Sequence, residues 1–131
     1  MIVAVDFDGT LCEDRYPEIG RPMQAMIEII KGIKKSGHKV ILWTCRCGRD
    51  LNEAVKWCTE RGIEFDAVND NLPENVEKYQ NNSRKINADF YIDDKSLLIG
   101  PRYNNLCILM PRRNGKAKMK KELETLWRKA R

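Results

Sequence analysis

Ile2-Val3-Ala4-Val5-Asp6-Phe7-Asp8-Gly9-Thr10 is the stretch on which the reading of this chain turns. Ile2–Val5 is apolar, rich in β-branched residues and free of alternation, which marks a short strand covered on both faces. The run halts at Asp6, and Gly9 breaks it. In extended chain, residues two apart lean the same way. Asp6 and Asp8 therefore face one cleft where the strand ends.

The same pattern recurs outward from this stretch. Lys39–Trp43, Glu64–Val68, Asp89–Ile92 and Leu106–Met110 are further apolar runs with strand character. Residues 12–21 hold Pro17 and Gly20 and read as a loop, after which Pro22 suits the first turn of a helix. Met23, Met26, Ile27, Ile30 and Ile33 make that helix amphipathic, and Gly37 ends it. A second helix opens at Asp50, with Glu53 completing a capping box and Gly62 closing it. Residues 69–84 are polar and have room for one short helix. Lys116–Arg131 spaces Met119, Leu123, Leu126, Trp127 and Ala130 as one stripe of a terminal helix. Strands interleaved with helices predict an α/β fold with a parallel sheet in three layers. The 131 residues predict one domain, 1–131.

Composition narrows the function classes. Apolar residues make up 42% of the chain, enough for a buried core and too many for a disordered one. No apolar run exceeds five residues, whereas a membrane span needs about 20. A secretory signal likewise needs a longer apolar stretch. The five cysteines (Cys12, Cys45, Cys47, Cys58 and Cys107) are odd in number and scattered. With no second cysteine pair and His38 the one histidine, a zinc site is poorly supplied. The expectation is reduced thiols in a cytoplasmic protein. Of the net charge of +5, residues 112–131 carry nine basic and two acidic side chains, leaving the first 111 residues mildly acidic. Such a tail attracts polyanions, nucleic acid among them, but the solvated face of a helix is the commoner explanation and the one adopted.

In an open parallel sheet, ligands bind beyond the carboxyl ends of the strands. Those ends here carry Asp6 and Asp8, then Thr44, then Asp93 and Asp94, with Lys85 ahead of the last strand. Glycine-rich nucleotide motifs are missing. Converging carboxylates repel one another unless a cation sits among them. An all-oxygen donor set favours a hard ion, Mg²⁺ where a phosphate also binds. An Asp carboxylate can attack phosphorus, Thr44 can donate to a phosphoryl oxygen, Lys85 can offset its charge, and Gly9 lets the backbone approach it. Each feature alone is more often structural; it is their order that shifts the balance.

Asp6-Phe7-Asp8-Gly9-Thr10 resembles the first motif of the haloacid dehalogenase-like hydrolase superfamily. Val40–Thr44 resembles its second motif, Lys85 its third, and Tyr91-Ile92-Asp93-Asp94 its fourth, all in the family's order. The resemblance implies a Rossmann-like five-stranded parallel sheet of order 5-4-1-2-3 and a Mg²⁺-dependent phosphohydrolase working through an aspartyl-phosphate. It implies Asp6 as nucleophile and metal ligand, and Asp8 as general acid/base that lends its backbone carbonyl to the metal. Thr44, Lys85 and Gly9 would hold the phosphate, and Asp93 and Asp94 would hold Mg²⁺. Lys78, Arg84 and Lys95 are rival cations for the third motif.

Family members differ in inserted caps, and residues 11–21 and 69–84 are too short for a lid domain. A capless site admits bulky phosphorylated substrates, or a second copy of the chain covers it. Two other readings compete: a non-catalytic phosphate- or nucleic-acid-binding module, and a domain that stays phosphorylated on Asp6. The second acid, Asp8, argues for hydrolysis, because a binding module has no need of a group that activates water.

Overall fold

The computed structural model describes residues 1–96. Met1–Asp93 forms one compact unit, and a second runs from Asp94 to Arg131. The expected strand at Leu106–Met110 and the expected terminal helix lie outside the described residues, as does Cys107.

Four strands, β1 (Ile2–Val5), β4 (Lys39–Leu42), β5 (Ala67–Val68) and β6 (Phe90–Ile92), make a parallel sheet of order β5-β4-β1-β6. The chain has an α/β fold. The fifth strand of the expected order falls on residues outside those described. β1 is central: Val5 pairs with Leu42 on one side and with Ile92 on the other.

Alternate residues of the central strands supply two separate cores. Val5, Val40 and Leu42 pack with Ile27 and Ile30 of α1 (Gln24–Lys35) and with Ala54 and Cys58 of α2 (Gly48–Thr59). Ala4 and Ile41 pack on the other face with Leu72 and Ile86, from the segments that flank α3 (Pro73–Tyr79). Burial on both faces is what a strand without alternation requires. Among the described residues no helix is long and apolar enough to cross a membrane.

Three local expectations give way. The loop expected over residues 12–21 is an antiparallel hairpin, β2 (Cys12–Arg15) and β3 (Glu18–Pro22), so Pro22 ends a strand and the helix starts at Gln24. At Gly20 a side chain would stand 2.1 Å from the Glu13 carbonyl oxygen, so only glycine lets the strands approach this closely. The second helix begins at Gly48 rather than being capped by Asp50, whose carboxylate instead accepts the Tyr16 hydroxyl at 3.2 Å. The third strand shrinks from Glu64–Val68 to two residues.

Asp66 fastens this framework. Its carboxylate accepts Lys34 Nζ of α1 at 2.7 Å, the Val40 N–H of β4 at 2.8 Å and Lys39 Nζ at 3.2 Å. Burial alone would push this carboxyl up, but the three donors outweigh it and hold it below its ordinary value.

Candidate active site

Sheet register brings the acids together. Because Val5 pairs with Ile92, the next residues out, Asp6 and Asp93, leave neighbouring strands side by side. The Asp6 N–H donates to the Ile92 carbonyl at 2.9 Å, which extends the ladder to the site itself. One carboxylate oxygen each from Asp6, Asp93 and Asp94 lies within 4.8 Å of the others, and all three residues are half-buried. The Thr10 hydroxyl, buried behind them, donates to Asp6 Oδ2 at 3.4 Å. Gly9 takes φ +85°, a left-handed turn that side chains disfavour, as the chain doubles back so that the Gly9 N–H meets the Cys12 carbonyl at 2.8 Å.

The second strand end is braced from β5. The Thr44 N–H donates to Asn69 Oδ1 at 2.8 Å, and Asn69 Nδ2 donates to the Arg46 carbonyl at 3.2 Å. Asn69 reaches both through a left-handed backbone, φ +50°, a conformation asparagine tolerates better than most residues. Thr44 Oγ1 accepts the Arg46 N–H at 3.2 Å, which leaves its own hydroxyl proton to donate.

Asp8 does not join the acid group. Its side chain meets Arg46 in a fork, Nε to Oδ2 and Nη2 to Oδ1, both 2.8 Å. The Arg46 side chain is only 1% exposed. Its Nη1 donates to the Pro17 carbonyl at 2.9 Å and its Nη2 also to the Glu18 carbonyl at 3.0 Å, in the hairpin turn. The guanidinium carbon lies 5.1 Å from the Phe7 ring centre and 5.2 Å from that of Tyr16. The hydrogen bonds to Asp8 raise the Arg46 guanidinium further above its already high ordinary value.

Lys85 forms no ion pair with the acids. It is exposed ahead of β6, and its side chain makes no ion pair or hydrogen bond among the described residues. Asp6, Asp93 and Asp94 thus stand together, Gly9 and Thr44 lie on the adjoining loops, Asp8 is turned to Arg46, and Lys85 is exposed. Sequence reasoning missed Arg46 and Asn69. Position 46, two residues past Thr44, was the one available hint, but a charged residue in a loop reads as exposed.

No protein-family model matches the chain, and neither does any curated protein. Among solved structures, it is similar to a conserved protein from Bacteroides thetaiotaomicron. Identity is 46% over 73% of this chain and 77% of that one, with a TM-score of 0.66. The chain belongs to the family of that conserved protein. The TM-score places the family likeness in the fold as well as in the sequence.

Proposed function

We propose that the protein is a Mg²⁺-dependent phosphohydrolase that cleaves phosphomonoesters through an aspartyl-phosphate on Asp6. The observation that carries this reading is the group Asp6, Asp93 and Asp94 at adjacent strand ends. The donor set suits the ion: three carboxylates within 4.8 Å of one another, with no thiolate or imidazole among them. Asp6, Asp93 and Asp94 would hold Mg²⁺, joined by the Asp8 backbone carbonyl. When bound, the ion neutralises charge on the phosphoryl oxygens.

The protein's own groups do the rest. An Asp6 oxygen attacks phosphorus, the ester P–O bond breaks, and the leaving oxygen takes a proton from Asp8. Water then attacks the phosphorus of the aspartyl-phosphate, gives a proton to Asp8, releases orthophosphate and restores Asp6. The Thr44 hydroxyl donates to the phosphate oxygens, and Gly9 lets the backbone approach them. Lys85 would offset the charge of the bound anion. The hydrolase superfamily that the four motifs resemble works in this way, and membership of it belongs to the same proposal.

One observation favours a second reading. Both Asp8 oxygens are spent on Arg46, which suits a domain that keeps its phosphate because no group activates water. Phosphoenzyme lifetime separates the two. A panel of sugar phosphates, nucleotides, phosphopeptides and phosphorylated nucleic-acid ends should show multiple turnovers with Mg²⁺, none in EDTA, and none in Asp6→Asn. A single stoichiometric burst of released alcohol would support the phosphoacceptor instead, and full turnover in EDTA would sink the metal assignment.

A further inference from the structure

We infer that Arg46 is a positioning residue: it fixes where the Asp8 carboxylate points and couples that direction to the turn of the β2–β3 hairpin. Its kinetic consequence rests on the phosphohydrolase reading; the coupling does not. An ion removed from water loses its hydration, and a buried charge persists only where hydrogen bonds replace that loss. Arg46 is the largest fully buried side chain among the described residues. Its guanidinium donates two hydrogen bonds to Asp8 and two to the Pro17 and Glu18 carbonyls. Its guanidinium carbon lies over both the Phe7 and the Tyr16 rings.

The backbone beneath is fixed as well, by Thr44 on one side and Asn69 on the other. A planar fork with five donors satisfies this arrangement, and a lysine ammonium cannot, because it presents its donors from one point. With one donor on each oxygen, Asp8 cannot rotate without breaking the fork. Breaking the fork frees the guanidinium that holds the hairpin turn. Asp8, Arg46 and residues 17–18 therefore move as one unit. A substrate pressing on Tyr16 or Pro17, both exposed, is felt at Asp8. The site thereby senses occupancy of the hairpin while Asp6 stays fixed on the β1–β6 ladder.

A purely structural pin is the competing account, and two measurements separate it. The first needs no activity. Amide hydrogen exchange in residues 18–20 should quicken at least tenfold in Asp8→Asn and in Arg46→Gln, while the β1 and β4 amides stay protected. Unchanged hairpin exchange in a folded Asp8→Asn protein overturns the coupling. The second is kinetic. Misplacing a reacting group by about 1 Å costs roughly 10²-fold. Arg46→Lys should therefore lose about that much kcat with KM within threefold, and millimolar guanidinium should restore much of the kcat of Arg46→Ala where methylammonium does not. The Asp8→Asn/Arg46→Gln double variant should be no slower than the worse single one. If folded Arg46 variants keep wild-type kcat, the positioning role is wrong. If the wild type hydrolyses no phosphoester at all, the phosphohydrolase reading fails and the exchange experiment still decides the coupling.

Discussion

Cys45 and Cys47 are exposed on either side of buried Arg46, so the chain alternates out, in, out through this loop. Extended backbone at Cys47, with φ −139° and ψ 168°, fits that alternation. Both thiols are free, and Cys47 makes no side-chain cap on α2. The loop needs its inward residue and tolerates changes at the outward ones. Cys45→Ser with Cys47→Ser should keep kcat/KM within about tenfold and release no zinc, since neither thiol belongs to a metal-ligand cluster among the described residues. Metal analysis before and after the change checks it, and stoichiometric zinc released from the double variant would refute it. The buried thiols are inert for another reason: burial pushes Cys12 up to about 11 and Cys58 up to about 12, so neither offers thiolate at neutral pH. The acid group was legible in the sequence because strand ends follow from apolar runs and register aligns them. Arg46 was not, because a buried charge is recognised by its partners and those partners lie 28 to 38 residues away.

At the scale of elements, what the sequence revealed and what it hid follow one physical line. β1 and β4 are buried on both faces and announce themselves as apolar runs. The hairpin exposes most of its residues and buries Cys12 and little else, so no hydrophobic pattern marks it. Its strands are defined by backbone pairing and by the tight Gly20 approach, neither of which alternation reports. The junction of α1, β4 and the loop before β5 depends instead on Asp66. Asp66→Asn removes the carboxylate that Lys34 and Lys39 share and should destabilise the fold by about 1–3 kcal/mol at neutral pH. Its pH dependence has a definite sign. A carboxyl held below its ordinary value of 3.8 contributes stability that is fully present above that value and is lost as pH falls through the lowered one. Urea midpoints of wild type and variant should therefore differ near pH 7 and converge in strong acid. A constant gap across that range would mean that the amide's shape, not the charge, is responsible.

Over the whole molecule the charge is uneven: a mildly acidic body precedes a strongly basic final stretch. A phosphohydrolase gains from this only if its substrate is itself an extended polyanion, since each phosphate neutralised releases counterions and makes binding salt-dependent. For a small phosphomonoester, a charge more than about 8–10 Å from the acid group adds little at physiological salt. The terminal helix expected from the sequence would put Met119, Leu123, Leu126, Trp127 and Ala130 on one stripe and Lys118, Lys120, Lys121 and Arg128 off it. Deleting the segment would remove both sets at once; replacing the four basic residues with Gln or Ser isolates the charge. Such surface changes ordinarily alter stability by less than about 0.5 kcal/mol. The expected outcome is unchanged kcat/KM on a small ester and an unchanged salt response on a phosphorylated oligonucleotide between about 50 and 200 mM salt, a range in which neutralising about 6–10 phosphates would alter affinity roughly 10³–10⁵-fold. If the substitutions instead weaken only the oligonucleotide and flatten its salt dependence by about 0.9 for each phosphate left unneutralised, the tail is a nucleic-acid arm and phosphorylated nucleic-acid ends become the leading substrate class.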